Sequence, residues 1–181
     1  MYQDLNDIIC YKKNYGNDNI YYKEIIKKKL INNHNLIVAI DNPELDPDSP
    51  EDYIGINILP FYFLSDKTQT TAQNYVCFET SFTEVHRYNQ IIKQGQIMFY
   101  ILANIRNIYD DKTGISRHDL IAALIEDDFN WCTDFGTRLK LVQDKPYAVD
   151  NNYVLRTLVF EQDALNGITE AKTQQIINND R

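Results

Sequence analysis

Cysteine is scarce and badly placed for pairing. Cys10, Cys77 and Cys132 are odd in number, far apart and without a CxxC pair. A disulfide framework and a zinc site are therefore not expected, and a reduced, intracellular setting for assembly is. The chain has no run of about 18 apolar residues, which argues against a membrane-spanning helix. Its opening, "MYQDLNDIICYKK", lacks the long apolar core of a signal peptide. Glycine is sparse too, with six in 181 residues. Neither GxxxxGK nor GxGxxG occurs, so no NTP or dinucleotide cradle is expected, and no cofactor. Three histidines, His34, His86 and His118, form no HxH, HxxxH or HExxH spacing, and no GxSxG elbow exists.

Positive charge is also in short supply. The formal charge is −8 and the pI about 4.8. A general nucleic-acid binder needs a basic surface to neutralise phosphates, and an anionic membrane repels an acidic chain, so both are disfavoured. The imbalance is uneven. Residues 1–35 carry six Lys against four acids, leaving the remainder at −10. The stretch "KEIIKKKL" reads as the solvated face of a helix.

What is present suits one ordinary domain: 44% hydrophobic residues over 181 positions are enough to bury a core. Residues 2–11 place Leu5, Ile8 and Ile9 on one helical face, and "NYGNDN" breaks the chain. Tyr22, Ile25, Ile26 and Leu30 predict a second helix over 20–32, with Glu24 four residues ahead of Lys28. "NLIVAI" (35–40) has strand length. "DNPELDPDSPED" (41–52), with three prolines and six acids, must be a loop. β-branched and aromatic residues fill 53–64, interrupted by Pro60, and 65–74 is a polar loop. "YVCFETSFTEV" (75–85) alternates, with Val76, Phe78 and Phe82 on one side. "QIMFYILANIRNI" (96–108) is apolar on both sides and reads as a central strand buried on two faces, although a continuous apolar run is compatible with a helix. Two strands end the domain: 138–149, with Leu139, Leu141 and Gln143 on one face, and 153–162 around Arg156. Residues 166–181 read as a short helix or loose end. This order predicts an α+β single domain, a mainly antiparallel or mixed sheet flanked by helices. Its parts are a helical N-terminal segment 1–35, a domain 36–168 and a tail 169–181.

The chemistry-bearing candidates have structural readings beside them. In "GISRHDL", Arg117, His118 and Asp119 precede an apolar run. Ser116 is a good N-cap, Asp119 a capping-box acid three residues on, and Ile115 with Leu120 a hydrophobic staple. Leu120, Ile121, Leu124 and Ile125 form the helical stripe. Helix capping therefore accounts for the charges, and Ser116→Ala should cost about 1 kcal/mol. A catalytic triad would need a nucleophile and a carboxylate converging on His118. The loop acids Asp41, Glu44, Asp46, Asp48, Glu51 and Asp52 lack the turn glycine and spacing of a calcium loop, so they read as solvated or partner-facing. Glu84 and His86 share a strand face, and Glu79, Glu84 and Asp144 are the carboxylates a metal-dependent nuclease would recruit, though no spacing demands it. No metal site is expected. Trp131 reads as closing the core over a helix end. Thirteen Tyr lean towards a protein interface.

The order "YVCFETSF … QIMFYILANI … GISRHDLIAALIEDDF … FGTRLKLV … YVLRTLVFEQ" resembles bacteriophage neck proteins of the tail-terminator (tail-completion) type. The last strand matches an R-x-L-x-F pattern at Arg156, Leu158 and Phe160, and the likeness spans residues 53–165. The resemblance implies an assembly protein without chemistry, found in the virion neck and assembled in the bacterial host cytoplasm. It implies a homo-oligomeric ring, six subunits in that family, that terminates the tail tube and joins it to the head connector. DNA would pass through the lumen without specific binding, which an acidic wall favours. Ring formation needs a heterologous interface that closes. Loop residues Asp41, Glu44, Asp46, Asp48, Glu51, Asp52, Lys67 and Gln69 are the candidates for it, with lysines at 23–29 pairing against acids at 41–52 of a neighbour. Another neck protein (head closure or head–tail adaptor) is the alternative, and a small metal-dependent hydrolase or nuclease a further one.

Overall fold

A computed structural model describes residues 18–62, 72–86, 89–148 and 152–165. Helix α1 (Asp18–Asn32) runs into α2 (His34–Ile40), then a 3-10 turn (Pro50–Tyr53) and the two-residue β1 (Ile58–Leu59). The long strands β2 (Tyr75–His86) and β3 (Asn89–Asn104) lead to α3 (Arg117–Phe129), then β4 (Lys140–Ala148) and β5 (Tyr153–Leu165). The five strands form one mixed sheet in the order β1-β2-β3-β5-β4, with β1 parallel to β2 and every other pair antiparallel. The expected α+β class and flanked mixed sheet are what the chain adopts.

Alternation along the strands decides which face the helices cover. Directly paired residues share a face, so Phe78, Phe99 and Leu158 line up, as do Thr80, Ile97 and Phe160. Against them pack Tyr22, Ile26 and Leu30 of α1, Leu36, Ile37 and Ile40 of α2, and Ile121, Ile125 and Phe129 of α3. Phe99 sits edge-on to both Phe129 (4.8 Å) and Phe160 (5.8 Å). Helix α1 thus belongs to the same core as the sheet. Burying Ile26 and Leu30 completely is worth about 2–3 kcal/mol each.

Several expectations need correction. The run 35–40 is a helix, not a strand. Asn33 Oδ1 accepts from Leu36 N at 3.0 Å as an N-cap, and Asp41 closes the helix in the left-handed region at φ 52°. Among the described residues of the 53–64 stretch, only Ile58 and Leu59 form a strand. Gly55, at φ 85°, turns the chain before it, and the fully buried Asn57 bonds across to Asn74 O at 2.8 Å. Strand β3 is central as expected, but among its described side chains both faces are buried only over Ile101–Asn104; positions 93–100 alternate buried and half-buried. A bulge at Val142 moves Gln143 off the Leu141 face and puts Asp144 there instead. Glu24 pairs with Lys27 (2.5 Å) rather than Lys28. The expected helix at 2–11, Lys67, Gln69, the tail 169–181, and the side chains of Glu84 and His86 lie outside the described residues.

One end of the sheet is closed by buried amides. Asn42 Nδ2 donates to Asn57 Oδ1 (2.7 Å), Asn74 Nδ2 to Ile40 O (2.8 Å), and Asn104 N to Asn74 Oδ1 (2.9 Å). With Asn57–Asn74 the chain links α2, β1, β2 and β3, satisfying backbone groups that irregular loops would otherwise leave unpaired in the interior.

Candidate functional site

Three consecutive charged residues open α3, and the helical turn sends each one elsewhere. Arg117 goes inward and is only 4% exposed. Its Nε donates to both the carbonyl and the Oδ1 of Asn107 at 2.9 Å, and its Nη1 to Ala39 O at 3.2 Å. Its Nη2 lies 2.9 Å from Asp41 Oδ2, and Asp110 Oδ1 is 3.6 Å from Nη1. One guanidinium therefore joins the end of α2, the 105–110 turn and the start of α3. Hydrogen bonds from the Thr113 hydroxyl and amide, with Arg117 beside them, hold the Asp110 carboxyl below the usual range.

His118 is partly buried, with Nε2 3.4 Å from Asp119 Oδ1 and a buried Nδ1 that has no hydrogen-bond partner. Burial pushes the imidazole pKa down; Asp119 opposes this and Arg156 adds to it. Burial alone would raise the Asp119 carboxyl, but the Ser116 hydroxyl, His118 and Arg156 outweigh it and leave the group below its ordinary value. Arg156 then reaches across from β5 to Asp144 on β4, with Nε and Nη2 at 2.7 and 2.6 Å from its two oxygens. This bidentate pair and the Arg156–Asp119 contact clamp the start of α3 onto the β4–β5 hairpin.

The arrangement can hold elements together, but it does not build a triad. The Ser116 hydroxyl donates to Asp119, not to His118, so base and nucleophile are not in contact. Ser116 has the extended backbone of an N-cap, yet its side chain accepts from no amide: the capping bond expected of Ser116 is not made, because its hydroxyl is turned to Asp119 instead. Ile115, the expected staple partner, is exposed. The carboxylates a nuclease would recruit are dispersed as well. Glu79 pairs with Lys23 (2.6 Å) on the face away from the helices, whereas Asp144 is on the helix face beyond β3 and β5. Among the described residues no group of three or more His, Cys, Asp or Glu is placed to hold a metal, and no helix is long and apolar enough to cross a membrane.

The acidic loop divides into two parts. Asp41 is taken by Arg117 and by Asn107 Nδ2 (2.8 Å). Glu44, Asp46, Asp48, Glu51 and Asp52 are exposed on the segment leading to β1, with Asp46 Oδ1 accepting from Asp48 N in a local turn (3.0 Å). Of the lysines expected to meet them from a neighbouring copy, three are engaged at home, Lys23 with Glu79, Lys27 with Glu24 and Lys29 with Asp134 (2.6 Å), while Lys28 is exposed.

The more open surface is the far edge of the sheet. Strand β4 pairs only with β5 among the described residues. Residues 130–132 flank its start, through Trp131 N to Leu139 O (2.8 Å) and Leu141 N to Asn130 Oδ1 (3.1 Å). Beyond that, Val142 and Tyr147 are exposed, with Lys140 and Lys145 on the same strand. Trp131 does not close the core: it is 57% exposed, with the Arg138 guanidinium 5.9 Å from its ring, and Phe129 and Phe135 fill the interior instead.

Arg117, the asparagine chain and the Arg156 clamp escaped the sequence reading. Arg156 carried a usable signal: it falls on the same alternation as Leu158 and Phe160, where a buried-side arginine requires a carboxylate partner. A search of curated proteins finds no match. A family model described as YomW matches residues 3–162, and the chain belongs to that family.

Proposed function

We propose that this YomW-family chain is a phage-associated structural protein that forms a ring at the head–tail junction of a tailed bacteriophage. In this reading it terminates the tail tube and meets the head connector. Family membership supports the phage association. The observation that carries the assembly role is the open edge of β4, flanked by the exposed Trp131, Val142 and Tyr147. An unpaired strand edge with large exposed side chains is a natural template for another chain, and rings are built from such heterologous contacts. Exposed aromatics of this kind are enriched at protein interfaces. The acidic balance fits a lumen through which DNA slides without sticking.

Light scattering on the full chain over a wide concentration range, followed by negative-stain imaging with and without isolated tail tube, tests the reading. Rings of about six copies, alone or only on tube ends, are the expected result. Rings that cap a head connector and ignore tube would assign the chain to another neck position. A strict monomer that joins neither would overturn the assembly role.

A further inference from the structure

We propose that the open edge of β4 is the receiving face of a head-to-tail contact between copies of this chain, and that the acidic loop 41–52 of the next copy fills it. The inference rests on the ring reading and names its interface. The edge strand carries Lys140 and Lys145, and Arg138 stands just ahead of it; all three are exposed. The one acid on the strand, Asp144, is neutralised within the chain by Arg156. The edge therefore presents positive charge on a chain that is strongly negative as a whole.

The opposite edge of the sheet has the opposite sign. The exposed Glu44, Asp46, Asp48, Glu51 and Asp52 lie on the segment that feeds β1, the other terminal strand. The two edges are in register. Ile58 of β1, Val76, Ile101, Arg156 and Pro146 of β4 form one row across the sheet, and Lys145 lies one position from its end. With neighbouring strands about 4.8 Å apart, the edges are about 19 Å from each other, too far to pair within one chain. They are free to pair between chains. Of the four lysines at 23–29, Lys23, Lys27 and Lys29 are held by carboxylates of their own chain, which leaves Lys28 as the one exposed cation of that group, against three at the β4 edge. An acidic face on one edge and a basic face on the other is a heterologous arrangement, in which each copy gives one face and receives the other.

Two charge-reversed full-length variants test it by sedimentation velocity, with thermal melts as the folding control. Lys140→Glu with Lys145→Glu makes the edge acidic. Glu44→Lys with Asp48→Lys and Glu51→Lys makes the loop basic. Each variant alone should lose self-association by on the order of tenfold or more. Mixed together they should recover it, since each variant's edge then meets a loop of opposite sign. Should a reversed variant melt early, the neutral Lys→Gln, Glu→Gln and Asp→Asn versions carry the same expectation of weakened association. A wild-type ring that both variants still form would overturn this interface while leaving the ring intact. A wild-type chain that stays monomeric, with or without tail tube, would overturn both.

Discussion

At the scale of single residues, two side chains of the α3 start do different work. Arg117 is buried and satisfies a carbonyl of α2, two groups of Asn107 and the carboxylates of Asp41 and Asp110. Arg117→Ala would leave Ala39 O and Asp110 facing an interior that has lost its donor. Breaking one partner of a buried charged network costs about 3–5 kcal/mol, and a chemical-denaturation midpoint should fall accordingly. His118 acts through pH. Its folded-state pKa is depressed from 6.5, first by burial and then by Arg156, against the pull of Asp119. Below 6.5 the unfolded chain binds a proton that the folded chain resists, so stability is complete above that pH and declines as pH falls towards the depressed value. Melting temperatures followed downward from pH 7.5 should drop in this window, and His118→Gln should flatten the drop. A second loss belongs below 3.8, where Asp110 and Asp119, both depressed in the fold, take up protons.

At the scale of elements, the asparagine chain is what lets irregular connections pass through the interior. Asn74 takes Ile40 O from α2 and the Asn104 amide from β3 in one side chain. Asn74→Ala would leave both unpaired, and each buried orphan costs about 1–3 kcal/mol. Calorimetry should show a lower melting temperature, and the Asn104 amide should exchange faster with deuterium. These contacts also mark how far the elements were legible. The long strands β2, β3 and β5 and helix α3 follow from alternation and from the Leu120–Ile125 stripe, because burial on one face leaves a period in the sequence. Residues 35–40 left no such period. Five apolar positions in a row, Leu36 to Ile40, suit either element, and the Asn33 cap with its αL partner Asp41 decided for helix. The aromatic, β-branched run at 53–64 promised a strand, but Pro50, Gly55 and the buried Asn57 turned the backbone there. Of the site, Ser116 and Asp119 were legible as a helix start. The role of Arg117 was not, since nothing local reveals a partner 76 positions away in Asp41.

On the scale of the whole molecule, charge is sorted by the ends of the sheet rather than by the ends of the chain. Reading along the sequence sets a basic segment at 1–35 against an acidic remainder, which points to the 23–29 lysines as the contact basis. Folding neutralises three of those four lysines internally, leaving Lys28 exposed on α1, and sets three exposed cations, Arg138, Lys140 and Lys145, together on the edge. The two views give opposite outcomes for single neutral substitutions. If the edge carries the contact, Lys145→Gln weakens self-association and Lys29→Gln, whose partner Asp134 is in the same chain, leaves it unchanged apart from a small local loss of stability. Salt supplies the independent check. Raising it from about 0.1 M to about 1 M shortens the screening length from about 10 Å to about 3 Å. Wild-type association should weaken over that range, and the Lys145→Gln variant should show a shallower dependence because one of the screened charges is already gone. Equal salt slopes in the two proteins, or a larger effect of Lys29→Gln than of Lys145→Gln in sedimentation, would return the contact to α1 and remove the edge of β4 from the interface.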